Sequence, residues 1–480
     1  MIRPQIGSQI PIMKLSHVPA AVLALTAATT HAAEAPQSYY IEAGTYATQR
    51  ESDPPGYIGH PAGLEWLDLG LQHRLRYEYH DDDLRRASPS NRDEPVLQRT
   101  RLYLGVRSKF DPLRFAVEFQ DSRRHNSQYA PDVRDVDKTD FIQGFVELHY
   151  PTMFGSDARG NARPLSIRVG RHSFEALDRR LIGRNEWRNT SNSHDGIRIS
   201  LGQEHSDWQL ELMSLRPVTR FLTAMDKPNH DQRFDVVIGH LRSLSPKLIL
   251  EPHYMRLKQK ASASNNLRER DIHAPGLRIY GRVNEHINYD VSAMYQFGDD
   301  GPEKHRAQSF TAETGYTWTE HPWRPRLSVF YGYASGDEDP NDDESNRFER
   351  FFGFARPWSP DDYAVYENLH APKIRLEFQP IPGVRMDVGY SGYWLASDTD
   401  RFNNLMGGSG NRDVSGQSGN EIGHGFDGRV RFALGEHIES TIGYSHFYMG
   451  TFVQNRQRAV TGNAAADSDF FYWEVVFSLF

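Results

Sequence analysis

Residues 99–121 read RTRLYLGVRSKFDPLRFAVEFQD, and the fold class turns on how this stretch is read. Leu102, Leu104 and Val106 alternate with Arg101, Tyr103, Gly105, Arg107 and Lys109. After the turn signal Phe110 to Pro112, Leu113, Phe115, Val117 and Phe119 alternate with Arg114, Glu118 and Gln120. Period-two alternation marks strands that bury one face only. Two such strands joined by a short turn, with long polar stretches at 80–98 and 122–139 on either side, repeat the pattern of an outer-membrane β-barrel.

Working outward, the same pattern predicts strands near 66–79, 99–109, 113–121, 140–150, 164–171, 195–202, 207–215, 233–243 and 247–258. It continues near 273–281, 287–297, 307–318, 325–335, 370–379, 383–395, 424–434, 438–449 and 469–480, an even set of eighteen. The segments 233–243 and 247–258 alternate poorly, and Pro252 interrupts the second. Short connections take turns with long ones at 80–98, 122–139, 172–194, 216–232, 259–272, 298–306, 336–369, 396–423 and 450–468, with 151–163 a longer turn on the short side. An all-β, transmembrane antiparallel barrel with external long loops is the expected fold.

Composition agrees with this reading. Mean hydropathy is −0.66 and no run of about eighteen apolar residues could cross a bilayer as a helix. Barrel strands escape that test because only alternate side chains meet lipid. Cysteine is absent, so neither disulfides nor thiolate metal sites are available, and stability is expected from a closed ladder. Val18 to Ala28 is apolar, follows Lys14 and precedes Thr30, Ala32 and Ala33, which reads as a signal peptide cut near Ala32 or Ala33. The expected organisation is a signal peptide at 1–33, a periplasmic leader at 34–64 and the barrel at 65–480, in a Gram-negative outer membrane.

A charged side chain facing mid-membrane lipid costs about 2 to 4 kcal/mol for Arg or Lys, so strand charges are assigned to the lumen. Parity then places Arg74, Arg76, Arg101, Arg107, Lys109, Arg114, Arg168, Arg198, Arg278, Arg326, Lys373, Arg375, Arg385, Arg429 and Arg431 inside. Fewer acids share that face: Glu78, Glu118, Glu147, Glu211, Asp290, Glu313, Glu377, Asp387 and Glu439. The wall is net basic although the chain carries −8, with the acid surplus in the loops, above all at 337–344. Such a lumen concentrates anions. Cross-strand pairing of these arginines with lumenal acids is the bland alternative. Tyr77, Tyr316, Trp318, Tyr331, Tyr390, Tyr444 and Trp473 fall near strand ends, as interfacial girdles do. In the last strand, Glu474 and Ser478 share the parity of Phe480, while Phe471, Trp473, Val475 and Phe477 occupy the other.

Two blocks are more specific: VGRHSFEALDRRLIGRNEWRNTSNSHDG at 169–196 and FYGYASGDEDPNDDESNRFERFF at 330–352. With the strand count and signal peptide, the chain resembles the alginate export family of outer-membrane porins. The resemblance implies eighteen strands around an arginine-rich lumen and passage of an anionic uronate polysaccharide to the exterior. By motif match it assigns Arg171 and, more weakly, Asp195 to the constriction. His172 stands where relatives tend to have Gln, and His194 where they have an aromatic residue. Arg171 shares the parity of outward Val169, so a strand end or bulge is required there. The following loop, with Arg179, Arg180, Arg184, Glu186, Trp187 and Arg188, could fold inward and narrow the pore; guanidinium forks suit carboxylates.

Asp337, Asp339 and Asp342 are candidate Ca²⁺ ligands in an external loop. They lack regular loop spacing, and a solvated acidic loop bridged to lipopolysaccharide by divalent ions is the simpler reading. No HExxH helix occurs, and the neighbours Ser193, His194 and Asp195 make no triad. Cofactors and nucleic acid are not expected. The expected function is a non-enzymatic channel exporting an alginate-like polyuronate, with a general or small-anion uptake porin of the same fold as the alternative and an outer-membrane hydrolase as a distant one. Expected partners are outer-membrane lipid and lipopolysaccharide, the barrel assembly machinery that reads a terminal Phe, the anionic saccharide, and periplasmic polysaccharide-secretion proteins.

Overall fold

The computed structural model describes residues 37–39, 56–86, 92–263, 267–408 and 411–480. The segment read as a signal peptide and most of the leader lie outside these residues. Eighteen long strands among the described residues form one antiparallel sheet: β1 Leu67–Asp81, β2 Val96–Val106, β3 Leu113–His125, β4 Asp137–Tyr150, β5 Leu165–His172 and β6 His194–Gly202. They continue as β7 Trp208–Thr219, β8 Gln232–Ser245, β9 Leu248–Gln259, β10 Arg270–Arg282, β11 Ile287–Asp300 and β12 Glu303–Thr317. The rest are β13 Arg326–Ala334, β14 Leu369–Ile381, β15 Val384–Trp394, β16 Glu421–Ala433, β17 Ile438–Met449 and β18 Ser468–Ser478.

Each strand pairs with its neighbour in sequence, and β1 pairs with β18 from Gln72↔Ser478 to Asp81↔Asp469, which closes the barrel. Closure leaves no row of open donors and acceptors for lipid to meet. Within the segment expected as a leader, Ile58–Gly59 continues the sheet against Leu69–Gly70 where β18 has stopped.

Alternation is realised as expected. Leu102 is 53% exposed and Leu104 43%, while Arg101, on the opposite, inner face, is 0% exposed. On β18, Trp473 is 52% exposed and Tyr472 3%, so the odd parity faces lipid and Glu474 faces inward. All eighteen expected strands are present, but several run farther toward the long-loop rim. β3 reaches His125 and β11 reaches Asp300. Beyond the bilayer the ladder continues without a lipid-facing apolar row, so the hydropathy signal ends before the strand does. The stretch 298–306, expected as a long loop, is therefore two strand tips joined through Gly301, whose φ of 67 suits the tight turn.

The poor alternation of 233–243 and 247–258 has a structural cause. Inward-facing Phe234, Val236 and Ile238 of β8, with Met255 and Leu257 of β9, are buried against apolar loop residues inside the bore. Both faces of these strands are apolar, one toward lipid and one toward protein. Pro252 sits on the exposed face, where Val237 and Leu241 also lie. The covering loops are those at 173–193, 335–368 and 395–420, which contribute Leu181, Ile182, Phe348, Trp358, Tyr366 and Leu405 to one cluster. Only the first of these was expected inside. A further element in the last long connection is the helix Thr451–Thr461, α1, which ends at Gly462 in left-handed conformation (φ 83).

Candidate constriction site

Four arginines from adjacent strands form a rail on the inner wall: Arg74 and Arg76 of β1, Arg99 and Arg101 of β2. None is more than 3% exposed. They grip the loop that follows β5. Arg74 donates to the carbonyls of Glu186 (2.7 Å) and Arg188 (3.0 Å) and to Asn189 Oδ1 (3.1 Å). Arg76 donates to the carbonyl of Trp187 at 2.6 Å. Arg99 bonds the Glu186 carboxylate at 3.0 Å and its carbonyl at 3.1 Å, and Arg101 adds a further bond to the carboxylate and one to Ser191 Oγ at 2.6 Å. Burial raises the Glu186 pKa, but the guanidiniums of Arg101, Arg99 and Arg184 outweigh it and hold the carboxyl well below the usual range.

The loop is also held from below. Arg184 pairs with Glu118, which is 0% exposed, and donates to Tyr57 Oη of the leader at 2.8 Å, while Tyr57 donates to Glu118. Trp187 lies between two guanidiniums, with Arg76 3.9 Å and Arg356 3.6 Å from its ring centroid. Glu474, out of pattern in the sequence, accepts Arg76 (3.3 Å) and lies 3.5 Å from Arg74. The loop after β5 thus lies inside the bore, and Arg188 on it pairs with Asp362 of the loop 335–368 at 2.9 Å.

A cavity of about 320 Å³ opens beside this rail toward the long-loop rim. Arg76, Arg85, Arg86, Arg124, Arg134, Arg188 and Arg350 face Glu78, Asp83, Asp93, Asp132, Asp135, Asp361 and Asp362 around it. Among the described residues Arg350 has no ion-pair partner. Cations and acids balance in number here, which corrects the expectation of a free basic excess. The wall is basic as parity required, but Glu349, Asp361 and Asp362 come inward on a loop that sequence alone placed outside, and join Glu186 of the loop it allowed inward.

The remaining expected residues are spread along the bore. Arg168 pairs with Glu147 at 3.2 Å and Arg198 with Glu211 at 2.5 Å. Asp387 accepts Arg375 (2.6 Å), Arg429 (2.9 Å) and Arg431 (3.3 Å). Toward the short-turn rim, Arg107 pairs with Asp68 at 2.7 Å, Arg114 with Asp111 at 2.5 Å, and Arg385 lies 3.7 Å from Glu439. Pairing with nearby acids, mostly across strands and for Arg114 within its own turn, thus accounts for these residues. Arg171 lies at the end of β5, as its parity demanded, next to Gly170 with φ 139. It pairs with Asp195 at 2.7 Å and donates to the carbonyls of Phe141 and Asp226, fastening rim segments together rather than presenting charge to the rail.

Asp337, Asp339 and Asp342 do not converge as Ca²⁺ ligands. Arg412 takes Asp337 at 2.9 Å, while Asp339 and Asp342 accept nearby backbone N–H groups of Asn341 and Glu344. Sequence reading missed Arg99, although it shares the parity of Arg101. It had no signal for Arg350, Arg356 or Asp362, because loops carry no period.

A closed eighteen-strand barrel with charged loops folded into its bore defines an outer-membrane channel protein. The alginate export family model matches residues 65–467, and the chain belongs to that family. No curated protein matches the chain. Similar solved structures include Pseudomonas aeruginosa OccD3 (OpdP), 13% identical with a TM-score of 0.58 over 92% of this chain and 100% of that one. Pseudomonas aeruginosa OccK3 (OpdO) is 14% identical with a TM-score of 0.55, covering 86% and 95%. At such identity the likeness concerns the fold.

Proposed function

We propose that this channel passes an anionic, uronate-bearing polysaccharide outward, with the rail Arg74, Arg76, Arg99 and Arg101 as its contact line. The observation that carries this reading is what the rail already holds: a run of carbonyl oxygens with one carboxylate, Glu186, bonded by Arg99 and Arg101. A uronate chain offers the same groups, ring and hydroxyl oxygens with a carboxylate at each residue. When the loop withdraws, the guanidiniums exchange its oxygens for those of the solute, through several weak contacts that still permit conduction. Export would require delivery from periplasmic secretion proteins, and assembly would use Phe480.

A small-anion uptake porin is the second reading, supported by the cavity of about 320 Å³, which suits a small solute better than a polymer. Planar-bilayer recording of Arg99→Glu/Arg101→Glu tests the shared premise. The anion-to-cation permeability ratio should fall roughly tenfold, since two charges reverse in a low-dielectric bore. An unchanged ratio would falsify the rail. Block of current by oligouronates but not by short dicarboxylates favours the polymer.

A further inference from the structure

We propose a calcium site at the long-loop rim, formed by Asp137 and Asp140 at the start of β4 and Asp226 from the loop between β7 and β8. A bulge in β4 brings the first two together: Asp137 stands opposite Ser122 and Asp140 opposite Gln120, so both face inward. Thr139 between them takes φ 52. One carboxylate oxygen from each acid lies within 4.8 Å of the others. That spacing fits one ion, because opposite oxygens in a Ca²⁺ shell of about 2.3 to 2.6 Å radius are roughly 5 Å apart.

Asp137 supplies the independent sign of a ligand. It is 1% exposed, and among the described residues neither of its carboxylate oxygens has a hydrogen-bond partner. The other two acids keep part of their capacity: Asp140 accepts the backbone N–H of Phe141 and of Asp226, each at 2.5 Å, and Asp226 accepts that of Phe221 at 2.7 Å. Neighbouring cations are committed elsewhere. Arg171 is bidentate to Asp195 and only 4.0 Å from Asp140, while Arg220 donates to the Ser191 carbonyl (3.2 Å) and Asn192 Oδ1 (3.0 Å). A buried carboxylate without a protein partner beside two others is costly unless a cation joins them. Three hard oxygens without imidazole or thiolate select Ca²⁺ over transition metals.

The ion would clasp the β7–β8 loop onto the barrel rim. Because Arg220 reaches from that loop to Ser191 and Asn192, the clasp also steadies the far end of the constriction loop. The assignment stands whatever solute the channel carries.

The test uses the full-length protein, refolded in detergent without lipopolysaccharide and freed of metal with EGTA. Equilibrium dialysis against Ca²⁺ should give one ion per chain, half-saturating at roughly 10⁻⁴ to 10⁻³ M, the range of external sites. Ca²⁺ should also slow tryptic cleavage after Arg220 tenfold or more. Asp137→Asn and Asp226→Asn, near-isosteric changes that relieve repulsion, should abolish both effects, and Asp339→Asn should leave them intact. No stoichiometric binding, binding retained in both variants, or an equal response to Mg²⁺ overturns the calcium site. So does protection by Asp137→Asn without metal when the wild type ignores Ca²⁺, since shared protons would then hold the cluster.

Discussion

Asp361 illustrates how a single loop residue sets the charge of the cavity. It lies in the connection between β13 and β14, nine-tenths and more buried, accepting from Ser359. Burial pushes its pKa up to about 6, against the lowering effect of the Ser359 hydroxyl. The folded value exceeds the unfolded one, so folding takes up a proton between them; the destabilising share of this group fades as pH falls through 6. The same titration removes one negative charge from the cavity wall. The anion-to-cation permeability ratio should therefore rise about twofold between pH 7.5 and pH 5 by field effects. In Asp361→Asn the ratio should start high at pH 7.5 and vary less. Superimposable profiles for the two proteins would exclude Asp361 as the titrating group.

At the scale of elements, the plug depends on two loops from distant parts of the chain meeting inside the bore. Phe352 N–H donates to the Leu181 carbonyl at 3.0 Å, and Gly183 N–H donates to that of Phe352 at 3.2 Å. A side chain at Gly353 would meet the carbonyl oxygen of Arg180 at 1.8 Å, and that oxygen is backbone, with little freedom to move aside. Gly353→Val must part the loops. Single-channel conductance should increase at least twofold while the barrel, whose ladder is untouched, assembles normally. Wild-type conductance in a well-assembled variant would show that the plug does not limit flow. The pairing joins the motif blocks at 169–196 and 330–352: the middle of the first touches the end of the second.

Over the whole molecule, stability rests on ring closure. β18 supplies the partners of β1 from Gln72 to Asp81, and without it those donors and acceptors face lipid. Truncation before Ser468 should eliminate the heat-modifiable, compact species on electrophoresis, whereas removing Phe480 alone should spare folding in vitro; a compact band from the truncated chain would contradict closure as the source of stability. Strand number, order and lipid face were legible in the sequence because lipid imposes a strict solvent rule on every second residue. Parity also identified Arg74, Arg76 and Arg101 as inward and flagged Arg171 as a strand-end residue. What faces those arginines was not legible. Glu186 was visible as a loop acid, but its position between Arg99 and Arg101, the pairing of Arg188 with Asp362 and the Asp137–Asp140–Asp226 cluster arise from long-range loop packing. Sequence alone therefore determined the barrel and the charge of its wall, because alternation is local and periodic. Tertiary structure decided how much of that charge remains free, because neutralisation depends on contacts between residues up to hundreds of positions apart, which leave no period to read.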